Sequence, residues 1–327
     1  MPSDLTSVLL RVDRILRGIV VTSLEVFVGC MCLFSTVGFL AIVYLPFDFF
    51  NHLRLQYACS LLVALGISAF LKLRRLTLVS LALIALNILP ALWLYLPAHH
   101  EPIANAKPIK ILDMNLLYSV TDYGPAIAQI KATDPDILVF QELSPYAVQS
   151  LKNVLSTYPY SKALPSPNPS GHGIYSRIPF SEIKESPYFL NTFTVEHAKF
   201  QLGGKKITLV NLHTYPPASV QGILGNLAIL QYLKKLRQSD EEMIVIGDYN
   251  ATPWSRYFCL LVDQLQLRDT EAGLGPQFSW PAGELPFYVP IDHCCISSGI
   301  GCLVRKVLAK TESDHLALYV ELAVAGN

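Results

Sequence analysis

Six apolar stretches of this sequence each have, at one end, a polar residue able to do chemistry. Asn115 follows "IKILDM", Glu142 follows "ILVFQ", His213 follows "ITLVNL", and Asp248 and Asn250 follow "MIVIG". Asp292 and His293 open "IDHCCIS", and Asp314 and His315 open "SDHLALYV". One polar residue at a strand end needs no functional reason, because strand ends meet loops and loops favour Asn and Asp. Six together imply that sheets ending on the same side pool acids, amides and imidazoles in one pocket. Oxygen donors such as Glu142, with the amides of Asn115 and Asn250, suit a hard cation like Mg²⁺. Histidines beside carboxylates suit proton transfer and stabilisation of negative charge near neutral pH. The combination describes metal-assisted hydrolysis of a phosphoester.

The elements that must position these residues are short. Met243 to Ile246 has the β-branched content and brevity of a buried strand. Strands are expected at Ile109–Met114, Ile137–Gln141, Gly173–Ser176, Ala198–Leu202, Ile207–Leu212, Ile291–Ser297, Cys302–Leu308 and Leu316–Leu322. Helices are expected over Tyr123–Ala132, Pro145–Leu155, Ser219–Arg237 and Arg256–Leu265, the third carrying basic residues in its last turn. The Pro- and Ser-rich segment Leu164–Ser170 reads as an exposed loop. This is an α/β domain with hairpins late in the chain.

The ordered series "MN", "QE", "NLH", "GDYNATPW", "IDH" and "SDH" resembles the endonuclease/exonuclease/phosphatase superfamily over about Lys107 to Leu322. That family includes pancreatic deoxyribonuclease, apurinic-site endonucleases, neutral sphingomyelinases and inositol polyphosphate 5-phosphatases. The resemblance implies two mixed β-sheets packed as a sandwich with flanking helices, the site lying at one end. It implies that Glu142 is the main metal ligand, with Asn115 and Asp314 beside it, and that the metal is Mg²⁺ or, in its place, Mn²⁺. Asp248 is expected to position or deprotonate the attacking water, with Asn250 orienting the same group. His315 is expected to stabilise charge on the phosphoryl oxygens, Asp292 to orient His315, and His213 to contact the phosphate or leaving group. Leu117 stands where apurinic endonucleases have an acid, and Glu312 precedes "SDH" where many relatives have Gly. Asp113 alternates with Asn115 and has a weaker claim, as do His172, His197 and His293, which read as structural. Trp254 and Trp280 read as core.

Of the 327 residues, 52% are hydrophobic and 15% charged, too apolar for one ordinary soluble protein. The excess lies before residue 100, in the runs Leu24–Leu45, Leu55–Leu71 and Leu76–Leu96. Each approaches the roughly 20 residues that cross a bilayer, so three transmembrane helices are expected. Arg11, Arg14 and Arg17 before the first, and Lys72, Arg74 and Arg75 before the third, put one face in the cytoplasm and the catalytic domain outside it. The expected organisation is an anchor at 1–100 in the inner or plasma membrane, a linker at 101–108 and a catalytic domain at 109–327. Residues 1–100 hold 7 Lys and Arg against 4 Asp and Glu, which leaves 18 against 21 in the remainder. The soluble part is therefore mildly acidic, and its basic doublets, Arg305–Lys306 among them, do not form the basic stripe of a nucleic-acid tracker.

Among the seven cysteines no CxxC pair exists, which argues against a zinc site. Adjacent Cys294 and Cys295 should point to opposite faces of a strand, and spacing alone selects no disulfide. The expected function is a membrane-anchored, Mg²⁺-dependent phosphoesterase acting on a phosphodiester. Nucleic acid and a phospholipid or sphingolipid headgroup are both open as substrate, and oligomeric state is not legible. The competing class is a catalytically silent membrane protein whose soluble domain binds a partner.

Overall fold

A computed structural model describes residues 2–96, 107–187, 189 and 194–324. It divides into two compact units, Met1–Pro90 and Ala91–Asn327. The first six residues of the expected linker 101–108 lie outside the described residues, and the first strand already begins at Lys107.

The first unit holds α1 (Pro2–Phe39), α2 (Arg54–Phe70) and α3 (Arg74–Ile88). Two helical stretches, Thr6–Ile42 with mean hydropathy 2.0 and Arg74–Tyr95 with 2.1, are long and apolar enough to cross a membrane. The short helix Leu45–Asn51 and α2 are bent by 49° and supply a third span only if taken together, because α2 alone has 17 residues. The first helix starts at Pro2 rather than Leu24 and so includes Arg11, Arg14 and Arg17. A buried polar network ties this apolar unit. Asn51 donates to Asp48 Oδ1 at 2.6 Å and to the Gly38 carbonyl at 3.0 Å, and Arg54 Nε donates to Asn51 Oδ1 at 2.9 Å. Asn87 donates to Ser35 Oγ at 2.8 Å, linking α3 to α1. Such bonds satisfy polar side chains that the apolar surroundings would not solvate.

Among its described residues the second unit contains twelve strands. They are β1 (Lys107–Asn115), β2 (Ile137–Gln141), β3 (Tyr160–Leu164), β4 (His172–Ser176), β5 (Glu182–Glu185) and β6 (Glu196–Leu202). After these come β7 (Lys205–His213), β8 (Glu242–Asp248), β9 (Arg268–Asp269), β10 (Asp292–Ile296), β11 (Ile300–Val307) and β12 (Leu318–Val324). They make two six-stranded mixed sheets, β11-β12-β1-β2-β4-β3 and β5-β6-β7-β8-β10-β9. The sheets pack face to face through Ile109, Ile111, Ile137 and Val139 of one and Leu209, Ile244, Ile246 and Cys294 of the other. Residues that alternate with these point outward and meet helices. Leu112, Met114, Leu138 and Phe140 pack on α4 (Gly124–Thr133) and α5 (Pro145–Leu155). Val210, Val245 and Cys295 pack on α6 (Val220–Leu236) and α7 (Arg256–Leu265). Strands covered on both faces in this way read as unbroken apolar runs. Cys294 and Cys295 do face opposite ways, and no disulfide forms among the described residues.

Ser144, Ser219 and Ser255 start α5, α6 and α7 by accepting from the backbone N–H of Ala147, Gly222 and Phe258. β3, β5 and β9 were not expected: all three are edge strands, the partly exposed sequences YSKAL and EIKE carry no apolar run, and β9 is two residues long.

One buried acid within the sandwich lowers stability. Glu196 on β6 has an amide contact from Asn211 at 3.4 Å, and its Oε1 is buried without a partner among the described residues. Burial pushes its pKa up to about 8. Below about pH 4.3 the carboxyl is neutral folded or unfolded, and nothing is lost. As pH rises from there to about 8, only the unfolded chain ionises, so stability falls. Glu196→Gln is expected to raise the thermal midpoint at about pH 9 and to make much less difference near pH 5, by scanning calorimetry. Equal effects at both pH values would refute the ionisation account.

Candidate active site

Strand register assembles the site. On β7, β8 and β10, His213 lies opposite Asp248 and Asp248 opposite Asp292, three polar residues in a row at one end of the second sheet. In the first sheet Asn115 ends β1 opposite Gln141 of β2, and Glu142 is the next residue. The close approach of β8 to β7 depends on Gly247. Its φ is +139°, and a Cβ there would fall 2.0 Å from the Leu212 carbonyl oxygen, so any side chain would push Asp248 off its neighbour. Leu117, Glu142 and Asn250 have left-handed backbone at φ 52°, 52° and 44°. Three such non-glycine residues at the ends of strands that meet mark turns held by their surroundings, a pattern that concentrates at functional sites.

Asp248 is the hub. Its Oδ1 accepts from the Asn250 backbone N–H at 2.8 Å, and its Oδ2 accepts from the Asn250 and Asn115 amides, each at 3.2 Å. Asn115 also donates to Glu142 Oε1 at 3.3 Å, and Glu142 Oε2 accepts from the Tyr118 N–H at 3.3 Å. His213 Nε2 and His315 Nε2 each stand 3.7 Å from Asp248 Oδ2. His315 Nδ1 is bonded to Asp292 at 3.0 and 3.2 Å. Asp314 Oδ2 accepts from the Trp280 indole at 2.9 Å, while its Oδ1 is buried without a partner among the described residues. All eight residues named from the sequence therefore gather at this end of the sandwich.

The electrostatics separate their states. Burial works against a charged His315, but Asp292 and Asp248 outweigh it and raise its pKa to about 10. His213 is lowered to about 3, by burial and then by His315, and is a neutral imidazole. Asp248 is raised to about 7, chiefly by burial, with His315 opposing. Asp292 is lowered, because the charge and hydrogen bond of His315 overcome burial. Glu142 is raised, by burial first and with a contribution from the charge of Asp314. Asp113 is buried, accepts from Gln141 at 2.8 Å and is raised well above its ordinary value by burial and then by Asp292.

Ligand-type atoms of Asp248, Asp292 and His315 converge within 4.8 Å of one another, a grouping that Glu142 and Asp314 do not join. Glu312 is exposed. His172 bonds Thr194 and the Ser170 carbonyl, and His197 meets Glu182 and Tyr232. Trp254 is buried, but Trp280 is not core: it is 37% exposed, and its ring lies 6.4 Å from that of His315. Two serines escaped sequence reasoning. Ser313 Oγ donates to the Asn115 carbonyl at 2.7 Å and accepts from the His315 N–H at 3.0 Å, joining β1 to the start of the last strand segment. Ser279 Oγ accepts from the backbone of Ile291 and Asp292 at 3.2 Å. Ser313 had a signal in "SDH"; Ser279 had none.

Residues 121–315, more than half of the chain, match the Endonuclease/Exonuclease/phosphatase family. No curated protein sequence matches. Among solved structures, D. rerio TDP2 complexed with single strand DNA product is 19% identical with a TM-score of 0.53, covering 66% of this chain and 99% of that one. The human Nocturnin catalytic domain with bound sulfate anion is 17% identical with a TM-score of 0.53, covering 66% and 94%. An endonuclease/exonuclease/phosphatase from Bacteroides vulgatus is 16% identical with a TM-score of 0.54, covering 67% and 99%. At these identities the likeness is one of fold.

Proposed function

The chain belongs to the endonuclease/exonuclease/phosphatase family and is a metal-dependent phosphoric ester hydrolase, and from that premise we propose that it is a membrane-anchored, Mg²⁺-dependent phosphodiesterase. The observation that carries this reading is the gathering of Asn115, Glu142, His213, Asp248, Asn250, Asp292, Asp314 and His315 at one end of the sandwich. The donor set fits a hard cation: Glu142 and Asp314 are carboxylates that feel each other's charge, and Asp314 Oδ1 is buried without a partner among the described residues. The cluster of Asp248, Asp292 and His315 fits one less well, since the imidazolium already compensates its acids. Asn115 would stand beside Glu142 through the second lone pair of its Oδ1, which accepts from the Leu117 N–H at 3.1 Å, while its NH₂ goes on holding Asp248. Bound at these residues, a divalent cation supplies Lewis-acid neutralisation of phosphoryl charge.

The chain's own residues do the rest. Asp248, held by Asn115 and Asn250, orients the attacking water and takes its proton. His315, kept as imidazolium by Asp292, donates to a phosphoryl oxygen as charge builds on it. His213 contacts the phosphate or leaving group as a neutral imidazole. Catalysis of this kind is positioning and charge neutralisation around in-line displacement.

On substrate, the balance of 18 basic against 21 acidic residues beyond residue 100 favours a lipid headgroup phosphodiester over a nucleic acid, as do the apolar N-terminal helices. The test is hydrolysis by the purified full-length protein of bis(p-nitrophenyl) phosphate, single-stranded DNA and phospholipid vesicles, with His315→Ala as control. Turnover of a phosphodiester that the variant loses is expected, strongest on vesicles. Turnover of DNA alone would reverse the substrate assignment, and no turnover of any ester by the folded protein would overturn the enzymatic reading.

A further inference from the structure

Behind the active site lies a second group of ionisable side chains that the mechanism does not use. Asp269, Glu271, His293 and Arg305 have fully buried side chains. His293 Nδ1 stands 3.4 Å from both Asp269 Oδ2 and Glu271 Oε2. The Arg305 guanidinium is 3.9 Å from Asp269 Oδ1 and 3.7 Å from Glu271 Oε2. Two acids and two bases thus face one another with charges that cancel when His293 is protonated. Its surroundings require that proton: Nε2 meets the Ala251 carbonyl at 2.9 Å, an acceptor only, and Nδ1 faces two carboxylates. In keeping with this, Asp269 and Glu271 overcome the effect of burial and raise its pKa to about 9.

The quartet is fastened to the catalytic residues through their backbone. His293 follows Asp292 on β10, and its bond to Ala251 holds the residue after Asn250. Arg305 spreads its fork over three acceptors: Nη2 donates to the Asp292 carbonyl at 3.2 Å, Nη1 to Thr270 Oγ1 at 2.9 Å and Nε to Gln277 Oε1 at 3.1 Å. One charged cluster therefore grips both the strand that presents Asp292 and the loop that presents Asn250.

We propose that Asp269, Glu271, His293 and Arg305 form a positioning device that holds Asp292 against His315 and fixes the loop after Asp248; this rests on the reading of Asp292 and His315 as the acid–imidazole pair of the site. A metal at the same place is the competing reading, since three ligand-type atoms of Asp269, Glu271 and His293 lie within 4.8 Å of one another. Arg305 argues against it, because its guanidinium already neutralises the acids that a cation would need.

Arg305→Lys tests the device. It keeps the charge and loses the fork to Asp292, whereas Arg305→Met would leave unbalanced buried acids and invite misfolding. In full-length protein the Lys variant is expected to lower kcat about ten- to a hundredfold with KM within about twofold, the signature of misplaced catalytic groups. The low-field proton resonance of His315 Nδ1–H, bonded to Asp292, is expected to shift as well. An unchanged resonance together with unchanged kcat would overturn the proposal. So would stoichiometric metal, found by mass spectrometry, that persists in Glu142→Gln and is lost in His293→Gln. If the wild-type protein hydrolyses no ester, the functional reading has failed, and the resonance alone still decides whether the quartet positions Asp292.

Discussion

Asp248→Asn lowers kcat for a phosphodiester about 10³-fold, the loss expected when a well-placed general base is removed. The geometry makes this a severe change for one exchanged atom. Oδ1 of Asp248 faces the Asn250 N–H, and Oδ2 faces the amides of Asn115 and Asn250. Whichever way the new amide turns, its NH₂ meets a donor, so the variant loses a hydrogen bond as well as its basicity. One such conflict costs about 1–3 kcal/mol, too little to unfold a domain of this core size. Steady-state kinetics beside far-UV circular dichroism would separate the two effects: a folded variant with collapsed kcat is expected, and a folded variant with normal kcat would remove Asp248 from the mechanism.

That Asp248 could be picked out beforehand follows from where buried strands end. β8 is covered on both faces, through Ile244 and Ile246 on one side and Met243 and Val245 on the other, so its sequence is an apolar run whose end is sharp. β2 and α5 were legible to the residue for the same reason, one an apolar run and the other opened by Ser144 and Pro145. The strands that escaped, β3, β5 and β9, lie at sheet edges: the residues of β3 and β5 are partly or fully exposed, and β9 is two residues long. Within the site, the missing pieces depend on contacts between distant segments. Arg305 reads as one half of a surface basic doublet, yet its side chain is buried and reaches the Asp292 carbonyl. Asp269 and Glu271 stand in a stretch with no periodicity, and nothing local says that they meet His293. Trp280 reads as core because aromatic rings usually are; only the fold puts its indole on Asp314.

Removal of divalent cations is expected to abolish hydrolysis, and added Mg²⁺ to restore it, with Mn²⁺ able to substitute. The argument starts from Glu142. Its left-handed backbone turns the carboxylate into the site, where it has one contact from Asn115 and one from Tyr118, both 3.3 Å and long for charge-assisted bonds. Burial raises its pKa and the charge of Asp314 raises it further, so protein groups leave these acids incompletely compensated. A cation relieves that repulsion, and the same relief makes binding visible as stability, because a ligand that binds only the folded state raises its melting point. Glu142→Gln should therefore raise the Mg²⁺ concentration for half-maximal activity by at least about tenfold. It should also remove the Mg²⁺-dependent rise in thermal midpoint expected of the wild-type protein. The two readouts are independent: activity reports the loaded site, and melting reports loading whether or not turnover occurs. Full activity in EDTA would reject the cation requirement. A melting rise that survives in Glu142→Gln would place the ion elsewhere, with Asp248, Asp292 and His315 as the next group to change.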